Sequence, residues 1–117
     1  MPYLTPAEQA TLDVAIRAAE QACRAEISVY VGTVEGDQRA FATSLHNTLV
    51  LPARSILIMV DPGRRIVEIV TGGHVRRTLT DDDVTEAVEQ MSASFADGDL
   101  AGGLVHGVQL LAERTAA

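Results

Sequence analysis

Ser55-Ile56-Leu57-Ile58-Met59-Val60-Asp61 decides how the rest of the chain must be arranged. Its five central residues are all apolar, and a strand that is apolar on both sides belongs in the middle of a sheet covered on both faces. Asp61-Pro62-Gly63-Arg64 follows as a tight-turn sequence, so a strand over Arg65 to Thr71 returns antiparallel as a hairpin closed by Gly72-Gly73. Upstream, Glu26 to Thr33 alternates: Ile27, Val29 and Val31 point one way while Ser28, Tyr30 and Gly32 point the other.

Helices are expected to fill the intervals. Thr5, Pro6 and Glu8 form a T-x-x-E capping box with proline at the first helical position. Leu12, Ile16, Ala19 and Cys23 continue it as one apolar face, with Arg24 in the last turn. Asp37 caps a second helix carrying Phe41, Leu45, Thr48 and Leu49, which ends before Pro52. Thr80 opens a third, through Asp81-Asp82-Asp83 to about Ala96, with Val84, Val88, Met91 and Phe95 in register. A fourth follows Asp97-Gly98-Asp99 and shows Leu104, Val108 and Leu111, with Gly103 and Gly107 allowing close approach to a neighbouring backbone. His74 to Leu79 reads as a short fourth strand or as a loop. The order α-β-α-β-β-α-α makes a three-layer α/β/α sandwich: a mixed sheet of three or four strands with two helices on each face. The first β-α-β unit is a parallel pair.

At 117 residues the chain is one domain spanning 1–117. Hydrophobic residues at 47% and charged residues at 21% exclude intrinsic disorder, and aromatics at 3% require an aliphatic core. The net charge is −7 and all nine basic residues are arginine, which argues against nucleic acid and anionic membranes as partners. Cys23 is the single cysteine, so no internal disulfide forms, and packing accounts for it. The opening Met1-Pro2-Tyr3-Leu4-Thr5-Pro6 lacks the features of a signal peptide, and no apolar run reaches the ~20 residues of a membrane span. A cytoplasmic location is the simplest expectation.

Several stretches resemble one known family. Leu4-Thr5-Pro6-Ala7-Glu8 opening a helix, the strands Glu26 to Thr33 and Ile56 to Asp61, the hairpin arm Arg65 to Gly73, and Phe95-Ala96-Asp97-Gly98-Asp99-Leu100 leading to Gly102-Gly103-Leu104 are similar to the TPM domain. That domain occurs in thylakoid-lumen acid-phosphatase-like proteins, photosystem repair proteins, a receptor modulator and bacterial proteins of unassigned role. The resemblance implies the α/β fold, and phosphatase activity or calcium binding as attributed to some members. Where typical members carry a Gly-rich segment with an Asp-Asn-Gly-like turn, this chain reads Asn47-Thr48-Leu49-Val50-Leu51-Pro52-Ala53-Arg54, without Gly or Asp.

Chemistry-bearing residues are few. Asp61 ends the central strand, where ligands collect in β-α-β units, although Asp before Pro-Gly also opens turns. Asp97 and Asp99, in a D-x-D spacing, are metal-ligand candidates alongside Asp61, and equally a turn and a cap; the ion would be calcium or magnesium. Asp81, Asp82 and Asp83 point about 100° apart on a helix and suit its dipole better than one ion. Arg64, Arg76, Arg77 and His74 are anion-binding candidates around the hairpin, with Gly72-Gly73 able to admit an anion near the backbone. His46 and His106 are expected at the helix surface or boundary. No nucleophilic triad, P-loop or dinucleotide fingerprint is present. The expectation is a noncatalytic module for a protein partner or its own copy. The alternative is a metal-assisted phosphomonoesterase using Asp61 with Asp97 or Asp99, clamped by Arg64 or Arg76.

Overall fold

Among the described residues a three-stranded mixed sheet in the order β1-β2-β3 organises the fold, with four helices packed on it. The structure, a computed structural model, describes residues 3–116, so Met1, Pro2 and Ala117 lie outside the described residues. The elements are α1 (Pro6–Cys23), β1 (Glu26–Val31), α2 (Gln38–Asn47), β2 (Ser55–Asp61), β3 (Ile66–Thr71), α3 (Asp81–Ala96) and α4 (Leu100–Ala116). Short 3-10 turns at Pro52–Arg54 and Val75–Arg77 complete them, so the segment after Gly73 is a turn rather than a fourth strand.

β1 pairs parallel with β2 from Glu26 with Ser55 to Val31 with Val60, and β3 returns antiparallel from Asp61 with Ile66 to Ile56 with Thr71. Every residue of β2 is buried. Ile56, Ile58 and Val60 enter the larger core with Ile27, Ile69, Leu12, Met91, Leu104 and Leu111. Leu57 and Met59 face the other way, onto Val70, Ala42 and the half-buried Phe41 and Leu45. The strand is therefore central and doubly covered, as its composition requires.

The covering is uneven, which corrects the expected two helices per face. α1, α3 and α4 share one face of the sheet, and α2 alone lies on the other. The reason is α4, which packs against both α1 and α3. Leu104, Val108 and Leu111 are joined in burial by Leu110, Ala112, Gly103 and Gly107, a wider arc than a single stripe. A Cβ on Gly103 would fall 2.6 Å from the Phe95 ring, and one on Gly107 2.3 Å from Met91 Sδ. These glycines thus receive side chains of α3 rather than a neighbouring backbone.

Local signals set the helix boundaries. Thr5 and Glu8 close the capping box of α1, with Thr5 N–H donating to Glu8 Oε1 at 2.9 Å and Glu8 N–H to Thr5 Oγ1 at 3.1 Å. Arg24 lies just past the helix, in the left-handed conformation at φ 57°. Thr80 and Asp83 repeat the box at α3, and Arg114 Nη1 reaches Asp83 Oδ1 at 3.1 Å, tying the end of α4 to the start of α3. Asp83 carboxyl is held below its ordinary range chiefly by the Thr80 amide, then by the Thr80 hydroxyl and Arg114. No helix among the described residues is long and apolar enough to cross a membrane.

Candidate functional site

Asp61 stands where β2 meets the hairpin turn, and only 3% of it is exposed. Its Oδ2 accepts the Val34 N–H at 2.9 Å and its Oδ1 the Arg64 N–H at 3.2 Å. Arg64 Nη1 donates to the Val34 carbonyl at 2.7 Å and more weakly to that of Gly36 at 3.4 Å. Together they fasten the loop between β1 and α2 to the hairpin. The turn chemistry visible in Asp61-Pro62-Gly63 is thus present, and it extends to a loop residue 27 positions earlier in the chain.

That geometry holds the Asp61 carboxyl below its ordinary range, first through the Val34 amide, with the Arg64 and Gly63 amides and the Arg64 charge adding to it against the cost of burial. The unfolded chain binds this proton at higher pH, so the ionised carboxylate stabilises the fold above about pH 4. This contribution disappears as pH falls through the lowered value. Asp61→Asn should therefore lie furthest below the wild type in denaturant midpoint at pH 5–7 and converge on it toward pH 2. A midpoint difference that stays constant over that range would refute the assignment.

Asp61 and Arg65 line a cleft of about 340 Å³ with Phe95, Gly98 and Leu100. Asp97 and Asp99 flank Gly98 without lining it. Asp99 Oδ1 accepts the Gly102 N–H at 2.9 Å and so caps α4, while Asp97 is exposed at the end of α3. Among the described residues no three His, Cys, Asp or Glu side chains are grouped so as to hold a metal ion.

The basic candidates divide between opposite ends of β2, whose seven residues span about 20 Å at ~3.3 Å each. Arg64 stays at the Asp61 end. His74, Arg76 and Arg77 follow β3, beside the start of β2. Arg76 Nη1 donates to the Thr71 carbonyl, so Arg76 cannot clamp a group held at Asp61. His74 and Arg77 line a second cleft, of about 460 Å³, with Arg24 and Arg54. Sequence reasoning missed those two arginines. The signal was available: Arg54 immediately precedes β2 and Arg24 lies two residues before β1, and the two strands pair in parallel register, so both arginines arrive at the same end of the sheet.

Gly72 also has another role than the one expected. A Cβ there would lie 2.0 Å from the Pro52 carbonyl oxygen, so the missing side chain admits backbone, not an anion. His46 is buried rather than superficial, with Nε2 3.0 Å from the Ser55 carbonyl, which requires the Nε2–H tautomer. His106 is exposed and pairs with Gln90.

A family described as a domain of unknown function, DUF5130, matches residues 1–112. The chain belongs to the DUF5130 family. Two uncharacterized proteins of Mycobacterium tuberculosis, from strains CDC 1551 and H37Rv, are each 27% identical over 105 residues. The match covers 90% of this chain and 63% of each relative, so this DUF5130 chain spans less than two-thirds of their length. Among solved structures, the BA42 protein of the psychrophilic bacterium Bizionia argentinensis superposes with a TM-score of 0.88 at 24% identity, covering 98% of this chain and 83% of that one. The N-terminal domain of a protein from P. gingivalis gives 0.82 at 19% identity, over 94% and 74% of the two chains. The N-terminal domain of the cg2496 protein of Corynebacterium glutamicum gives 0.76 at 15% identity, over 95% and 73%. These likenesses show that the DUF5130 chain shares its fold with bacterial proteins.

Proposed function

We propose that this domain is a noncatalytic interaction module that accepts an extended segment of a partner protein along β1. The observation that carries this is the edge of β1, unpaired among the described residues, beside a groove of about 650 Å³ between that strand and α1. Leu12, Ile16, Val29 and Val31 supply its apolar lining. The Ile27 N–H already turns to this side, where the Glu20 carboxylate takes it at 2.9 Å. In a parallel pair alternate residues bond to the neighbouring strand, so Val29 and Val31 also turn their amides to the open side. Natural edge strands are commonly blunted by Lys, Pro or a bulge. Glu26 to Val31 contains no Lys or Pro and pairs with β2 in unbroken register. An added strand would gain main-chain hydrogen bonds there and pockets for alternate side chains.

Extended peptides selected from a random display library should shift the amide resonances of Ile27 to Val31. Val29→Pro, which removes an outward N–H while leaving the β2 ladder intact, should abolish the shifts. Selected peptides that perturb other surfaces, or no selectable binder, would reject the proposal. A solution mass that doubles with concentration and is restored to monomer by Val29→Pro would identify the occupant as a second copy.

The metal-assisted phosphatase alternative is weaker, because both Asp61 oxygens already accept backbone N–H groups and Asp99 Oδ1 is engaged as the cap of α4. Kinship with TPM domains remains part of the proposed reading. The α-β-α-β-β-α-α order and the Asp99 cap in the Gly-Asp link before α4 support it.

A further inference from the structure

We propose that the cleft at the start of β1 and β2, where Arg24, Arg54, His74 and Arg77 meet, binds the phosphoryl group of a small soluble molecule. Strand register creates this juxtaposition. Glu26 pairs with Ser55, which brings together the residues preceding both strands, and Ile56 pairs with Thr71, which adds those following β3. Among the described residues the resulting cleft of about 460 Å³ is lined by three arginines and a histidine and by no Asp or Glu. That is unusual in a chain of net charge −7. Among the described residues the ion pairs are made by Arg39 and Arg114, so Arg24, Arg54 and Arg77 have no carboxylate partner within 4.0 Å.

The arginines are held on fixed supports. Arg24 follows α1 in the left-handed conformation. Gly72 N–H donates to the Ser55 carbonyl and His74 N–H to that of Ala53, each at 2.9 Å, which locks the turn bearing Arg54 against the turn bearing Arg77. Buried Ala25 and Val75, with half-buried Cys23, provide a nonpolar floor for the body of a ligand. Guanidinium forks match phosphate oxygens in geometry, and three of them suit a dianion better than a single carboxylate. The overall negative charge disfavours polyanionic surfaces, which leaves a small soluble phosphate compound.

Inorganic pyrophosphate is the probe, titrated at constant ionic strength against chloride. Saturable amide shifts are expected at Arg24, Arg54 and His74 to Thr78. Modification of Cys23 by an uncharged thiol reagent should slow several-fold at saturation. Arg54→Gln with Arg77→Gln should weaken binding at least tenfold with the unfolding midpoint unchanged; the single Arg77→Gln serves if the double variant does not fold. Shifts that never saturate, shifts centred on Arg17 or Arg65, or undiminished binding by the folded variant would overturn the proposal. None of these outcomes depends on the open edge of β1.

Discussion

Gly72→Ala is expected to destabilise the domain by about 3 kcal/mol, at the upper end of what overpacking costs. The added methyl would lie 2.0 Å from the Pro52 carbonyl oxygen and 2.3 Å from that of Ala53. Both obstacles are backbone, which cannot rotate aside as a side chain does. Relief requires the Pro52–Arg54 turn to lift, breaking the bonds from Gly72 N–H to Ser55 and from His74 N–H to Ala53. In a chain of this size the loss corresponds to a melting point roughly 12 °C lower, at ~4 °C per kcal/mol. Gly73→Ala is the matched control: its nearest foreign atom, Arg76 Nη2, is 3.8 Å away, so the variant should melt with the wild type. Thermal unfolding followed by circular dichroism separates the two. Equal melting points would mean that the turn is not seated on Gly72.

Ile58→Ala should cost about 2–5 kcal/mol, the range for deleting a fully buried branched side chain. Ile58 is 0% exposed, sits at the middle of β2 opposite Val29 and Ile69, and belongs to the core that α1, α3 and α4 share. Neighbours on both sides are fixed by the sheet, so the cavity collapses poorly. Ile58→Val removes one methylene and should cost about 0.5–1.5 kcal/mol. Urea midpoints at neutral pH measure both. A loss below 1 kcal/mol for the alanine variant would remove β2 from the centre of the core.

Much of this architecture was legible because its signals are local. The capping boxes at Thr5 and Thr80 involve residues three apart, and the apolar run Ile56 to Val60 announces its own burial. The distribution of helices was not legible, because an apolar stripe says that a helix covers something without saying which face. Only the breadth of burial on α4, including Leu110 and Ala112, carries that information. His46 was missed for a similar reason: its burial depends on the Ser55 carbonyl, which the crossover brings beside the last turn of α2. For the candidate site, Asp61 was recognised as a strand end and a turn opener, but its hold on Val34 belongs to the tertiary fold. Grouping Arg64 with Arg76 and Arg77 followed nearness in sequence. An antiparallel return carries residues that lie close along the chain to opposite ends of the sheet.

A lone ten-residue helix guarding one side makes the molecule lopsided. Detaching α2 uncovers Leu57, Met59 and Val70, yet leaves the larger aliphatic mass beneath α1, α3 and α4 whole. The easiest escape from the native state therefore runs through this thinner flank. Its fastenings are Arg39 with Glu68 at one end of the helix and His46 with Ser55 at the other.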